Sequence, residues 1–137
     1  MIATMTLNSG RAIPSDNSPV IFLRLEGLAL LFAACVGFQI QHGSWLLFAL
    51  LFLAPDISML GYFAGPRVGA LAYNLLHTTT LYILVLGLGV RLASPLTIQV
   101  ALIGLSHIGF DRLVGYGLKY ATEFKDTHLT RLQARVE

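Results

Sequence analysis

Residues 27–55 read GLALLFAACVGFQIQHGSWLLFALLFLAP and contain no Asp, Glu, Lys or Arg. Two more charge-free stretches follow, 68–90 (VGALAYNLLHTTTLYILVLGLGV) and 92–110 (LASPLTIQVALIGLSHIGF). A helix that crosses the hydrocarbon core of a bilayer needs about 20 predominantly apolar residues. The first stretch is long enough to hold most of one such helix, a polar turn at Gln41-His42-Gly43-Ser44, and a second helix that restarts at Trp45. Four spans are therefore predicted, near 20–40, 45–63, 68–90 and 95–117. Gly65-Pro66-Arg67 and Ser94-Pro95 punctuate the later junctions, as expected of short helix–helix connections. The runs are continuously apolar and lack the period-two alternation of a barrel strand, so helices are the expected way to satisfy the backbone in lipid. The predicted fold class is all-α, an integral membrane bundle of four transmembrane helices over residues 20–117.

Composition points the same way. The chain has 137 residues, 55% of them apolar and 12% charged, with a mean hydropathy of +0.72. Soluble domains carry about 25% charged residues, and a small domain has proportionally more surface to cover with them. A net charge of +2 gives no electrostatic footprint for nucleic acid. One cysteine, Cys35, excludes an intramolecular disulfide and a cysteine-rich zinc site.

The basic residues set the orientation. Arg11, Arg24, Arg67, Arg112, Lys119, Lys125, Arg131 and Arg135 fall on one side of the predicted spans, and Arg91 alone falls on the other. The positive-inside bias places both termini and the Arg67 turn in the cytoplasm of a multi-pass membrane protein. An even number of spans requires the same arrangement. Residues 1–19 read as a flexible tail, and no small-residue cleavage site marks a secretory signal. Residues 118–137 alternate basic and acidic groups and read as a cytoplasmic tail, solvated or forming a short interfacial helix.

Ionisable groups in hydrocarbon cost about 2.5–3.5 kcal/mol on insertion scales, so each needs a reason. The spans contain Glu26, Asp56, Asn74, His77, His107 and Asp111. At a rise of about 1.5 Å per residue, Asp56 lies about 12 Å from the Arg67 turn, and Asn74 and His77 about 9 and 14 Å beyond it. His107 and Asp111 lie about 15 and 9 Å above the cytoplasmic end of the fourth span, and Glu26 about 9 Å into the first. All six fall in one layer of the cytoplasmic half. His107 and Asp111, four apart, share a helix face, as do Asn74 and His77, three apart. Asp56 follows Pro55, which is expected to kink its helix. Hydroxyls at Tyr62, Ser58, Ser106 and Thr78–Thr80 lie near the same level. Together these residues can line a polar cavity that opens to the cytoplasm.

Plainer readings stand beside this one. The His107/Asp111 pair can be a packing hydrogen bond, Asn74 interhelical glue, and Glu26 a partner for Arg24 at the interface. Ala29, Ala33 and Gly37, spaced by four, read as a close helix contact. Two His with two or three carboxylates suit a hard or borderline divalent cation such as zinc, manganese or iron, and a bound metal makes a nucleophile of water. The candidate metal ligands are His77, His107, Asp111 and Asp56, which are also the candidate catalytic residues, with Glu26, Tyr62 and Asn74 as candidate substrate contacts. The same carboxylic acids and imidazoles can instead act as acid and base without metal.

The segments LRLEGLALL (23–31), FLAPDISMLGYFAGPRVGALAYNLLHT (52–78) and LSHIGFDRLVGYGLKYATEFKDTHL (105–129) resemble the domain-of-unknown-function 4260 family, small bacterial integral membrane proteins. The resemblance covers about residues 22–131 and implies the membrane class. It also implies that Glu26, Asp56, Asn74, His77, His107 and Asp111 belong to one motif set. It brings no activity with it. The favoured expectation is a membrane-embedded enzyme acting on a lipophilic small molecule, by metal-assisted or acid–base chemistry. The alternatives are a structural or interaction subunit whose polar layer packs the bundle, and a small proton-coupled carrier. Against the carrier stand the absence of internal repeats and a periplasmic half with little polarity beyond Tyr82 and Gln99. Four helices make a thin bundle, and a homo-oligomer can complete a lipid-facing cavity.

Overall fold

A computed structural model describes residues 18–134. The tail expected over residues 1–19 lies outside the described residues, except that Ser18 and Pro19 already open the first helix. The described residues are mostly helical: α1 (Ser18–Ile40), α2 (Trp45–Phe52), a 3-10 helix (Ala54–Ala64), α3 (Pro66–Leu76), α4 (Thr79–Arg91), α5 (Pro95–Val114) and α6 (His128–Ala134). Among the described residues there is no strand, only one antiparallel bridge between Lys119 and Thr127.

Local chemistry sets the boundaries. Gln41-His42-Gly43-Ser44 forms the expected turn, with His42 at φ 51°. Ser44 caps α2 by accepting a hydrogen bond from the Leu47 amide. Gly65, at φ 110°, reverses the chain where a side chain would be strained, and Pro66 opens α3 at a position that needs no amide donor. The helix expected as a fourth span, α5, ends at Val114 rather than 117 because Gly115, at φ 104°, closes it in the left-handed conformation. The second and third spans are also less uniform than expected. Pro55 does not kink a continuous helix but starts the eleven-residue 3-10 segment, and the chain breaks between α3 and α4 at His77-Thr78.

Three stretches are long and apolar enough to cross a membrane: Ser18–Ile40, Trp45–Ala64 and Pro66–Arg91. Their outward faces are apolar. Phe22, Phe32, Leu46, Leu50, Phe63, Leu71 and Leu84 are each more than 60% exposed, a surface that water does not tolerate over such an area. Helix α5 is different. It carries His107, Asp111 and Arg112, and every residue from Ala101 to Gly109 is buried. Helices α1, α2 and α4 all pack on it. Shielded over Ala101–Gly109, α5 can hold polar groups there that a lipid-facing helix cannot.

The α1–α5 crossing is close. A Cβ on Gly109 would lie 2.6 Å from the Leu31 amide nitrogen, and one on Gly27 would lie 2.7 Å from the Leu113 nitrogen. This crossing runs along Gly27, Leu31 and Ala34. Ala29 and Ala33 are exposed, so the expected contact through Ala29, Ala33 and Gly37 is corrected, with only Gly37 touching Leu102. Small residues recur on more than one line of this helix, and the glycine opposite, Gly109, selects the line used.

Candidate metal centre and adjoining cavity

The 3-10 segment and α3 form an antiparallel hairpin about Gly65 and pack along their length. Asp56 precedes Gly65 by nine residues and His77 follows it by twelve. Nine residues at about 2.0 Å each and twelve at about 1.5 Å each both come to about 18 Å. The tighter helix therefore brings the carboxylate level with the imidazole. An α-helical Asp56 arm would fall short by about 4–5 Å.

Four side chains converge where this hairpin meets α5. His77 Nε2 lies 3.2 Å from His107 Nε2 and 3.3 Å from Asp56 Oδ1. His107 Nε2 lies 3.5 Å from both Asp56 Oδ1 and Asp111 Oδ2, and His77 Nε2 lies 3.7 Å from Asp111 Oδ2. Both imidazoles are buried, and the carboxylates are partly so. His77 Nδ1 faces the Tyr73 carbonyl at 2.9 Å. A carbonyl only accepts, so a proton sits on Nδ1. With His77 Nε2 unprotonated, its lone pair can be met by an Nε2–H of His107 at 3.2 Å or by a metal ion.

The spacing fits a metal. Ligands at about 2.0–2.2 Å from a tetrahedral ion lie about 3.3–3.6 Å from one another, and the three separations among Asp56, His77 and His107 run from 3.2 to 3.5 Å. Asp56, His77 and His107 form the tightest three-ligand group. Asp111 stands beside it, accepting a hydrogen bond from the Tyr73 hydroxyl at 3.4 Å. The Tyr73 carbonyl orients His77 from behind, as outer partners of ligating imidazoles commonly do. His107 Nδ1 is buried without a hydrogen-bond partner among the described residues.

A cavity of about 280 Å³ opens from this centre. Asp56, His107, Asp111, Tyr73 and Lys119 form its polar end, and Phe52, Leu53, Met59, Phe110, Tyr116 and Phe124 its apolar walls. Leu53, Phe110, Tyr116 and Phe124 are themselves exposed, so the cavity reaches the surface between them.

The other expected site residues fall elsewhere. Glu26 is exposed and sits in a separate depression with Leu23, Leu30, Thr79 and Arg112; it forms no ion pair with Arg24. Tyr62 does not line the cavity; its ring packs on Phe124 at 5.1 Å, and its hydroxyl is buried without a partner. Asn74 is engaged by the backbone, donating to the Lys119 carbonyl at 2.8 Å and accepting from the Lys119 amide at 2.7 Å. Ser58 and Ser106 donate to the carbonyls of Pro55 and Leu102 in their own helices.

The C-terminal segment departs from the expectation of a solvated tail. Lys119, Thr127 and Leu129 are buried, and residues 116–129 fold as a strap across the mouth of the cavity. The Leu118 amide donates to His128 Nδ1 at 2.9 Å, and the Lys119–Thr127 bridge closes the loop. The strap brings in Lys119, which sequence reasoning missed. Its Nζ lies 3.4 Å from the Phe124 ring centroid, 4.4 Å from that of Tyr73 and 5.2 Å from that of Tyr62. Burial lowers the pKa of this ammonium, while Asp56 and Asp111 draw it back up. Tyr73, stacked on His77 with ring centroids 3.6 Å apart, was missed as well.

Residues 20–132 match a family described as Domain of unknown function (DUF4260). The chain belongs to this family. No curated protein and no solved structure matches it. The DUF4260 match takes in all four converging side chains and the whole strap, so the cavity as a whole lies within the family's domain.

Proposed function

We propose that this DUF4260 protein is a membrane-embedded, metal-dependent enzyme that acts on a lipophilic substrate. The observation that carries the proposal is the convergence of Asp56, His77, His107 and Asp111 at ligand-like separations beside a cavity with apolar walls. Asp56, His77 and His107 would hold a divalent ion, and Asp111, held by Tyr73, would accept a proton. The ion would supply Lewis acidity and lower the pKa of water. Two ionised carboxylates and a divalent cation cancel in charge, which favours the arrangement in a low-dielectric setting. The accompanying topology has α5 as a fourth span, both termini in the cytoplasm and the protein in the bacterial inner membrane. The basic-residue bias supports it, and so does the apolar outer surface. A homo-oligomer would cover the open side of the cavity.

Metal analysis of the full chain, purified in an uncharged detergent after loading with zinc, manganese or ferrous iron, tests the reading. One equivalent in the wild type and less than a tenth in His77→Ala and His107→Ala is expected. Absence of metal under all three loadings, or retention in both variants, would overturn it. Chelation separates the packing alternative: an enzyme centre leaves the helical circular-dichroism signal and the monodisperse elution intact, and their collapse would mean that the metal is structural.

A further inference from the structure

We infer that the cavity takes a single-chain amphiphile with an anionic head, and that the Lys119 ammonium holds the head. The inference rests on the cavity being the substrate site, and it names the substrate class. Lys119 is 8% exposed, yet no carboxylate lies within 4.0 Å of its Nζ and no described group accepts a hydrogen bond from it. Its hydrogen bonds are made by its backbone alone, to Asn74. The surrounding rings attract the cation through their faces but offer its three donors no oxygen. Lysines are almost never buried unless paired, and the unpaired donors of this one open on the cavity.

The nearby carboxylates do not supply it. Asp56 is engaged with both imidazoles, and Asp111 with both imidazoles and the Tyr73 hydroxyl. Neither forms an ion pair with Nζ, so the ammonium presents its charge and its donors to the cavity. A monoanionic head neutralises it.

The rest of the cavity fits a chain. At about 280 Å³ it lies just below the usual range for small-molecule sites, about 300–1,000 Å³, enough for a head and the first carbons of one chain. The chain would run between Phe52 and Met59 and leave past Phe110 and Phe124, both exposed at the mouth. Lys119 follows the end of α5, where lipid head groups are expected to lie. A carboxylate and a phosphate share the required chemistry, and the test separates them.

The full chain in dodecyl maltoside is titrated with oleate, oleyl phosphate and oleyl alcohol, which share one chain and differ in the head, and adducts are counted by native mass spectrometry. Oleate or oleyl phosphate is expected to bind at one equivalent, at least tenfold more tightly than oleyl alcohol, and the tighter of the two identifies the head. Lys119→Met should reduce anion binding to the level of the alcohol, and Lys119→Arg should retain it. Equal binding of the alcohol and the anions by the wild type overturns the inference and needs no variant. So does undiminished anion binding by Lys119→Met, or displacement by acetate or inorganic phosphate at the concentration of the amphiphile, which would show that the chain adds nothing. Metal content is measured on the same samples. Head-selective binding without metal removes the metal reading and leaves this one standing, whereas metal without head selectivity does the reverse.

Discussion

Asn74→Ala separates a side chain that positions the site from one that touches substrate. The Asn74 amide makes two hydrogen bonds to the backbone of one strap residue, Lys119, at 2.8 and 2.7 Å, across 45 residues of sequence. Each is worth about 1 kcal/mol net, and a buried backbone group left without a partner costs about 1–3 kcal/mol. Lys119 is buried, so its freed amide and carbonyl do not fully recover these bonds from water. The loss sums to about 2–3 kcal/mol on docking of the strap, or about a 30- to 150-fold increase in its opening. Alanine is a good helix former, so α3 itself should persist. Amide hydrogen exchange of residues 117–121 in the detergent-solubilised protein is the assay. Exchange faster by one to two orders of magnitude is expected in the alanine variant. Asn74→Asp, which keeps an acceptor for the Lys119 amide, should show an intermediate effect. Exchange within twofold of wild type in Asn74→Ala would refute the strap argument.

Two further predictions concern packing and pH. Gly109→Ala places a Cβ 2.6 Å from the Leu31 nitrogen and 2.8 Å from the Gly27 carbonyl oxygen. These backbone atoms cannot step aside, so a loss of about 1–3 kcal/mol and a lower midpoint of thermal unfolding in detergent are expected. Gly87→Ala, where a Cβ would meet nothing within 4 Å, should be neutral or slightly stabilising, and equal effects at the two sites would contradict the crossing. Burial and the nearby Arg112 cation hold the pKa of His128 below 6.5. The stability that neutral His128 gives the strap is therefore complete above pH 6.5 and lost as the pH falls toward its folded value, because protonation removes the Nδ1 acceptor of the Leu118 amide. Exchange at residue 118 should accelerate on acidification in the wild type. The same acceleration in His128→Phe would discount the histidine.

The spans were legible because charge is excluded from hydrocarbon, and gaps in charge mark them directly. The pairing of Asp56, His77, His107 and Asp111 was legible for a related reason, since depth along a helix and spacings of three or four residues are both linear in sequence. What depth does not give is azimuth. Glu26 shares the layer but lies one residue, about 100°, from Gly27, which faces α5, and so it looks outward. The 3-10 geometry of Ala54–Ala64 was also invisible; Pro55 announces a break but not which helix follows it. Lys119 and the strap were missed because the alternating charges of residues 118–137 resemble a solvated surface. The signal that could have found them is the unexplained Asn74 in an apolar run, a side chain able to hold a peptide unit arriving from far along the chain.

One turn of α3 joins the two halves of the site. Tyr73 uses its carbonyl to orient His77, its hydroxyl to hold Asp111 and its ring face to carry the Lys119 ammonium. The next residue, Asn74, grips the Lys119 backbone. The metal-competent centre and the cationic end of the cavity are therefore fixed to the same five residues of backbone, Tyr73 to His77, and cannot drift apart as the helices flex. The Lys119 ammonium adds only its contacts with the aromatic ring faces to that coupling and makes no side-chain hydrogen bond among the described residues. An arrangement that orients two imidazoles, a carboxylate and an unpaired cation around one space is accounted for by a ligand that meets all of them at once.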